Sequence, residues 1–189
     1  MTGTLDVAWD DRPAGRHAID DEQRFAILRR LLHDETVDAR DRFTGSVLLL
    51  YAQPVTRIAV LTTSDIDVTR DGQVTLRLGR GTVPLPGPLA QIALGLSEQQ
   101  LKRTGTDGWL FPGRNAGRHI SADTLLGRLK RYGIGRGREG RHGALLALAA
   151  RLPAPVLAER IGIHQSRAAA WVRMAGDTYA DYVALRPPD

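Results

Sequence analysis

Apolar residues at Phe25, Leu28, Leu31 and Leu32 recur at the spacing of one helix face. Asp20-Asp21-Glu22 ahead of them offers an N-cap and an acidic first turn. A second helix is expected over about Asp38 to Tyr51. A third opens at Pro54, where a missing N–H costs little, turns Ile58 and Leu61 inward and ends at Thr62-Thr63-Ser64. The period then changes. Ile66 to Thr69 and Gln73 to Leu78 alternate as strands do around an Asp71-Gly72 turn. Past Gly79-Arg80-Gly81, Thr82 to Leu85 supplies a third short strand, with Pro84 best placed at a sheet edge. Helix returns from about Pro88 to Leu101, and a loop from Gly105 to Asn115 carries Trp109-Leu-Phe-Pro. Ser121 caps a helix with Leu125, Leu126 and Leu129 on its apolar face. An alanine/leucine helix through Arg151, a break at Pro153 and Pro155, and two further helices complete the chain. The predicted fold class is mainly α with a small antiparallel three-stranded sheet (α+β). Residues 1–19 read as an irregular N-terminal tail, and residues 20–189 as one domain.

Composition narrows the chemistry. There is no cysteine among the 189 residues, which excludes disulfides and thiolate metal sites. The five histidines, His17, His33, His119, His142 and His164, include no pair at close helical spacing, so neither a metal nor a cofactor is expected. The longest apolar stretch, Val47 to Tyr51, is far too short to span a bilayer. The first residues lack the basic and apolar regions of a signal peptide, and a cytoplasmic protein is expected.

Charge is asymmetric. Residues 102–189 hold 15 Lys/Arg against 7 Asp/Glu, leaving 11 against 14 for residues 1–101. Such a split points to a polyanionic partner on one side of the fold. Lys102 and Lys130 are the only lysines, and arginine is the cation suited to bidentate phosphate and guanine contacts.

Two stretches of the basic half carry local signals. Gly133 to Arg141 packs four glycines and three arginines into nine residues without the Gly-Lys-Ser/Thr ending of a Walker loop. It reads either as a loop whose amides approach phosphate or as a linker with solvated charges. Val156 to Trp171 looks like a helix-turn-helix: Ala158 is small where helices cross, Gly162 sits at the turn, and Ala168 and Trp171 fall inward. His164, Gln165, Ser166 and Arg167 then stand at the start of the second helix, where recognition helices meet DNA. The alternative is a tightly packed helical hairpin with no nucleic-acid role.

The ordered set of residues 48–66, the meander ending in Val83-Pro-Leu85, and Arg138-Glu-Gly-Arg141-His142 with its downstream helices resembles the catalytic domain of tyrosine recombinases, the phage-integrase and Xer-type family. The likeness covers roughly residues 20–184. It implies a basic pocket around a scissile phosphate, attacked without metal by a tyrosine hydroxyl. This sequence departs from the family's pattern at most of the reacting positions. The first catalytic arginine falls at Pro54 and the glutamate beyond it at Arg57. The hairpin lysine is absent, with Arg80 the nearest cation, and an arginine replaces its charge but not its role as proton donor. His-x-x-Arg becomes Arg138-Glu-Gly-Arg141, and Leu-Gly-His becomes Ile161-Gly-Ile-His164, one residue longer. Trp171 stands near the expected tyrosine, with Tyr179 and Tyr182 beyond it.

The expectation is therefore a catalytically silent, nucleoid-associated protein that binds double-stranded DNA non-covalently. Its contacts would be Arg57, Arg80, Arg138, Arg141, His142, His164, Gln165, Ser166 and Arg167. Two other readings stay open. One is an active recombinase using Arg141, His164 and a relocated nucleophile at Tyr179 or Tyr182, although an amphipathic last helix packing back on the domain is the simpler explanation of both tyrosines. The other is a module that binds a protein partner such as a true recombinase. Family members also carry a separate N-terminal clamp domain, which the residues before the first helix are too few to form, since an independent domain needs about 40. One-sided binding follows, unless a homodimer or recombinase partner completes the clamp.

Overall fold

The stretch from Phe43 to Leu49 carries no charged residue, and a helix segment without a charged face must be surrounded. In the computed structural model, which describes residues 21–78, 81–135 and 137–184, it is. The elements in order are α1 (Asp21–His33), α2 (Ala39–Tyr51), α3 (Val55–Ala59), β1 (Ile66–Val68), β2 (Val74–Leu78), β3 (Gly81–Pro84), α4 (Gly87–Thr104), α5 (Ala122–Leu129), α6 (Gly137–Ala149), α7 (Ala154–Ile161) and α8 (Gln165–Ala184). Helix α2 is central, with α1, α4, α5 and α6 packed around it. Asp38 caps its start by accepting the Arg40 amide at 2.9 Å. The mainly helical, three-stranded architecture matches the expectation. The expected tail over residues 1–19 lies outside the described residues.

Helices α1 and α2 finish each other. The last carbonyls of a helix lack internal donors. Arg24, only 6% exposed, donates Nη1 to Leu49 O at 3.2 Å in the last turn of α2. Arg42 returns the bond from α2, Nε to Leu31 O at 2.9 Å and Nη2 to Leu32 O at 2.8 Å, at the end of α1. Cations at helix C-termini are also favoured by the macrodipole. This corrects one expectation. The inward face of α1 is Arg24, Leu28 and Leu31, whereas Phe25 is 48% exposed, 4.8 Å beneath the Arg24 guanidinium. The need for a donor at the end of α2 outweighs the burial of one aromatic ring.

The meander forms as read, in the order β1-β2-β3, with Leu76 opposite Ile66 on one side and Val83 on the other. Val74, Leu76 and Leu78 alternate inward, and Pro84 lies on an edge strand. Helix α3 is shorter than expected. It stops at Ala59, and Thr62 opens a separate 3-10 turn closed by a reciprocal capping box with Asp65. Leu110 and Phe111 of the Trp109 loop plug the core, Phe111 stacking at 5.9 Å on Phe43. Ser121 caps α5 by accepting the Thr124 amide, as its sequence indicates.

Two polar devices join distant parts. Asp41, 1% exposed, accepts from Arg128 Nε at 2.5 Å, Tyr132 Oη at 3.2 Å and Arg131 Nη2 at 3.5 Å. Tyr51 donates its hydroxyl to Pro84 O at 2.6 Å, tying the end of α2 to β3. Burial pushes the Tyr51 phenol up to about 12. Because the unfolded phenol ionises near its ordinary value of about 10, the stability this group contributes is complete below that pH and is lost on rising towards 12. Urea midpoints should fall between these pH values, and Tyr51→Phe should flatten the fall. An unchanged alkaline slope in the variant would clear Tyr51 of the effect.

The apolar interior has two parts. The larger joins α1 to α5, the sheet and Ile134. The smaller joins α6, α7 and α8 around Ala52, Ala144, Leu145, Leu157, Ile161 and Ala168. Gly140 lets α6 reach α2, since a Cβ there would stand 2.8 Å from Leu48 Cδ2 and 3.1 Å from Leu49 Cδ2. Among the described residues, no helix is long and apolar enough to cross a membrane.

Candidate nucleic-acid interface

The glycine- and arginine-rich stretch is neither open loop nor linker beyond its first residues. Helix α6 begins at Gly137, so Arg138 and Arg141 ride on its first turns. The packing of Gly140 against Leu48 and Leu49 accounts for one of the glycines better than phosphate approach does. Arg141 is thereby turned to the junction of the two cores. Its Nε donates to Ala52 O at 2.8 Å, and its Nη nitrogens make no hydrogen bond among the described residues. Ala52, which ends α2, holds φ at +53°, an uncommon backbone state for a residue with a side chain. Such outliers persist only where their surroundings hold them.

Arg57 comes to the same junction from α3. Its Nη1 donates to Ile161 O at 3.1 Å and to Gln53 Oε1 at 3.2 Å. Gln53 is fully buried, and its Nε2 donates to Tyr51 O at 3.1 Å and Ile161 O at 3.2 Å. Gly162 ends α7 at φ +67°, and a Cβ at that position would lie 2.7 Å from Arg57 Nη1. The turn of the helix pair and the placement of Arg57 are thus one piece of geometry. Burial first, then the neighbouring Arg57 and Arg167 guanidiniums, pull Arg141 below the usual arginine range. Among the described residues, no carboxylate contributes to that shift. Three cations from α3, α6 and α8 converge here, and arginines remain charged in neutral solution.

Helices α7 and α8 form the expected tight pair. Gly162 takes the left-handed turn position, Ala168 is fully buried, and Trp171 packs on the smaller core. His164, Gln165, Ser166 and Arg167 are all exposed at the start of α8. Ser166 donates its amide to His164 Nδ1 at 3.3 Å, and its hydroxyl lies 2.7 Å from the same nitrogen. His142 stacks edge-on against Trp171 at 5.1 Å, which makes it a packing partner of α8. The structure therefore brings Arg57, Arg141 and Arg167 together and sets the exposed start of α8 beside them. Arg80 lies outside the described residues, as do the side chains of Arg138, Tyr179 and Tyr182. Gln53 and Ala52, which seat the two arginines, carry no signal in the sequence. Their roles depend on Ile161 and Arg141, far along the chain. Among the described residues, no group of three or more His, Asp or Glu side chains is placed to hold a metal ion.

A helical domain of this topology, with a three-stranded meander and a C-terminal helix pair flanking an arginine junction, has the fold of tyrosine-recombinase catalytic domains. Solved structures bear this out. The XerH site-specific recombinase, in a post-cleavage complex with palindromic difH substrate, aligns over 89% of this chain and 52% of its own, at 15% identity and a TM-score of 0.62. XerA recombinase aligns over 91% of this chain and 66% of its own, at 18% identity and 0.58. The integrase from mycobacterium phage Brujita aligns over 85% and 54%, at 21% identity and 0.57. This chain thus spans between about half and two thirds of those proteins' length. At such identities the likeness is one of fold. No protein-family model matches the sequence, and no curated protein matches it.

Proposed function

We propose that this protein binds duplex DNA through its arginine junction and the start of α8, and does not cleave it. The observation that carries this reading is the convergence of Arg57, Arg141 and Arg167, with no carboxylate among the described residues acting on Arg141. Clustered guanidiniums repel one another, and an anion such as a DNA phosphate relieves that repulsion. Arg57, three residues beyond Pro54, still brings a guanidinium to the junction, which supports anion binding without an arginine at Pro54 itself. Chemistry does not survive the change as readily. No lysine stands in residues 1–101 to protonate a leaving oxygen, and Trp171 stands near the expected nucleophile. Phosphate contacts supply most of the affinity, and Gln165 and Arg167 give a modest sequence preference. A nucleoid-associated, cytoplasmic role fits such binding.

The test is fluorescence anisotropy with random-sequence duplex DNA across a salt series. Affinity should fall steeply with log salt, and Arg141→Ala should weaken it about tenfold while making the slope shallower by about one. No binding at low salt would overturn the reading. A covalent adduct on a nicked duplex that survives denaturant would overturn the absence of cleavage.

A further inference from the structure

We propose that the hairpin between Pro112 and His119 is a second phosphate-contacting arm, which rests on the DNA-binding reading above. It is a tightly closed loop. Gly113 N donates to Arg118 O at 2.7 Å, Ile120 N to Phe111 O at 2.8 Å, and Pro112 bridges His119. A Cβ at Gly113 would stand 2.7 Å from His119 O, so only glycine lets the two sides approach this closely. Trp109 pins the tip from outside the loop. Its Nε1 donates to Gly117 O at 2.9 Å, and its ring meets His119 edge-on at 5.1 Å.

This pinning holds a loop that contributes nothing to the core. Residues 114–118 are all exposed, and their charged members are Arg114 and Arg118. No acidic side chain lies between Asp107 and Asp123, so the hairpin presents cations alone. A solvated loop needs no indole to hold its tip. A loop that must offer two guanidiniums at fixed positions does, because ordering them beforehand lowers the entropy lost on binding. Its place in the fold suits the purpose. The hairpin leads directly into α5, and α5 packs on α3, the helix that carries Arg57. Trp109 also bridges Thr62, just beyond α3. A duplex lying across the arginine junction meets this arm with its phosphodiester backbone.

The experiment compares the full chain with Arg114→Ala/Arg118→Ala on the same random duplex across salt. Removing two phosphate contacts should reduce the salt slope by about 1.8, so the fall in affinity between about 50 and 200 mM salt shrinks about 12-fold. Arg29→Ala/Arg70→Ala removes equal charge from exposed positions elsewhere and should leave the slope near wild type. Trp109→Phe keeps both cations but releases Gly117 and should weaken binding several-fold. An unchanged slope in the loop variant, on a wild-type chain that binds, overturns the arm alone. An equal change in the Arg29/Arg70 variant reduces the effect to net charge and overturns it too, and unaltered affinity in Trp109→Phe overturns the pinning. A wild-type chain that does not bind overturns the arm and the reading beneath it together.

Discussion

Asp41→Ala is expected to lower the unfolding free energy by about 2–4 kcal/mol, among the largest single-residue losses in this domain. Asp41 is 1% exposed, and its two oxygens serve Arg128, Arg131 and Tyr132. Removing it leaves the Arg128 guanidinium, whose side chain is 27% exposed, with Asp38 at 3.0 Å as its remaining carboxylate partner. Breaking a fully buried pair typically costs about 3–5 kcal/mol, and the partial exposure of Arg128 and Arg131 brings the figure down. Asp41→Asn keeps an acceptor while losing the charge and should cost about half as much. Replacing both partners, Asp41→Leu with Arg128→Met, should recover part of the loss, because the charges left behind, Asp38 and Arg131, are solvent-exposed. Urea denaturation measures all three. A loss below about 0.5 kcal/mol for Asp41→Ala would place this node among ordinary surface pairs.

Gly162→Val is expected to cost a similar 2–4 kcal/mol and to weaken DNA binding as well. Two penalties combine at one atom. At φ +67° a β-branched side chain is strained, and its Cβ would meet Arg57 Nη1 at 2.7 Å. Either the helix pair opens or Arg57 leaves Ile161 O and Gln53. Gly162→Asn, which tolerates the left-handed state, should lose the least backbone energy yet still displace Arg57. The pair of variants separates the two effects: stability should follow backbone strain, and affinity should follow the loss of Arg57's position. Wild-type affinity in a folded Gly162→Asn protein would remove Arg57 from the interface.

What the sequence makes legible is whatever rests on near neighbours. Ser121 caps α5, the alternation of Val74, Leu76 and Leu78 faces the core, and Gly162 turns the helix pair because each needs only residues a few positions away. What the sequence leaves illegible has the opposite origin. Arg24 displaces Phe25 from the core because of a carbonyl 25 residues ahead. Asp41 is buried by partners 87 to 91 residues away, and Gln53 by Ile161 at 108. Glycines near Arg141 suggest phosphate approach until α2 is seen lying against Gly140. The arginine junction was legible as three scattered cations. That they meet follows from how α6, α7 and α8 dock, which no periodicity encodes.

The exchange of arginines between α1 and α2 bears on how this chain folds. Neither helix has its end satisfied until the other has begun, so the two stabilise one another as a pair. The bonds concerned span only 10, 11 and 25 residues. Closing loops of that size takes little entropy, and contacts of low sequence separation form fast. The α1–α2 hairpin is thus expected to be an early folding unit of the domain, on which the sheet and C-terminal helices then assemble.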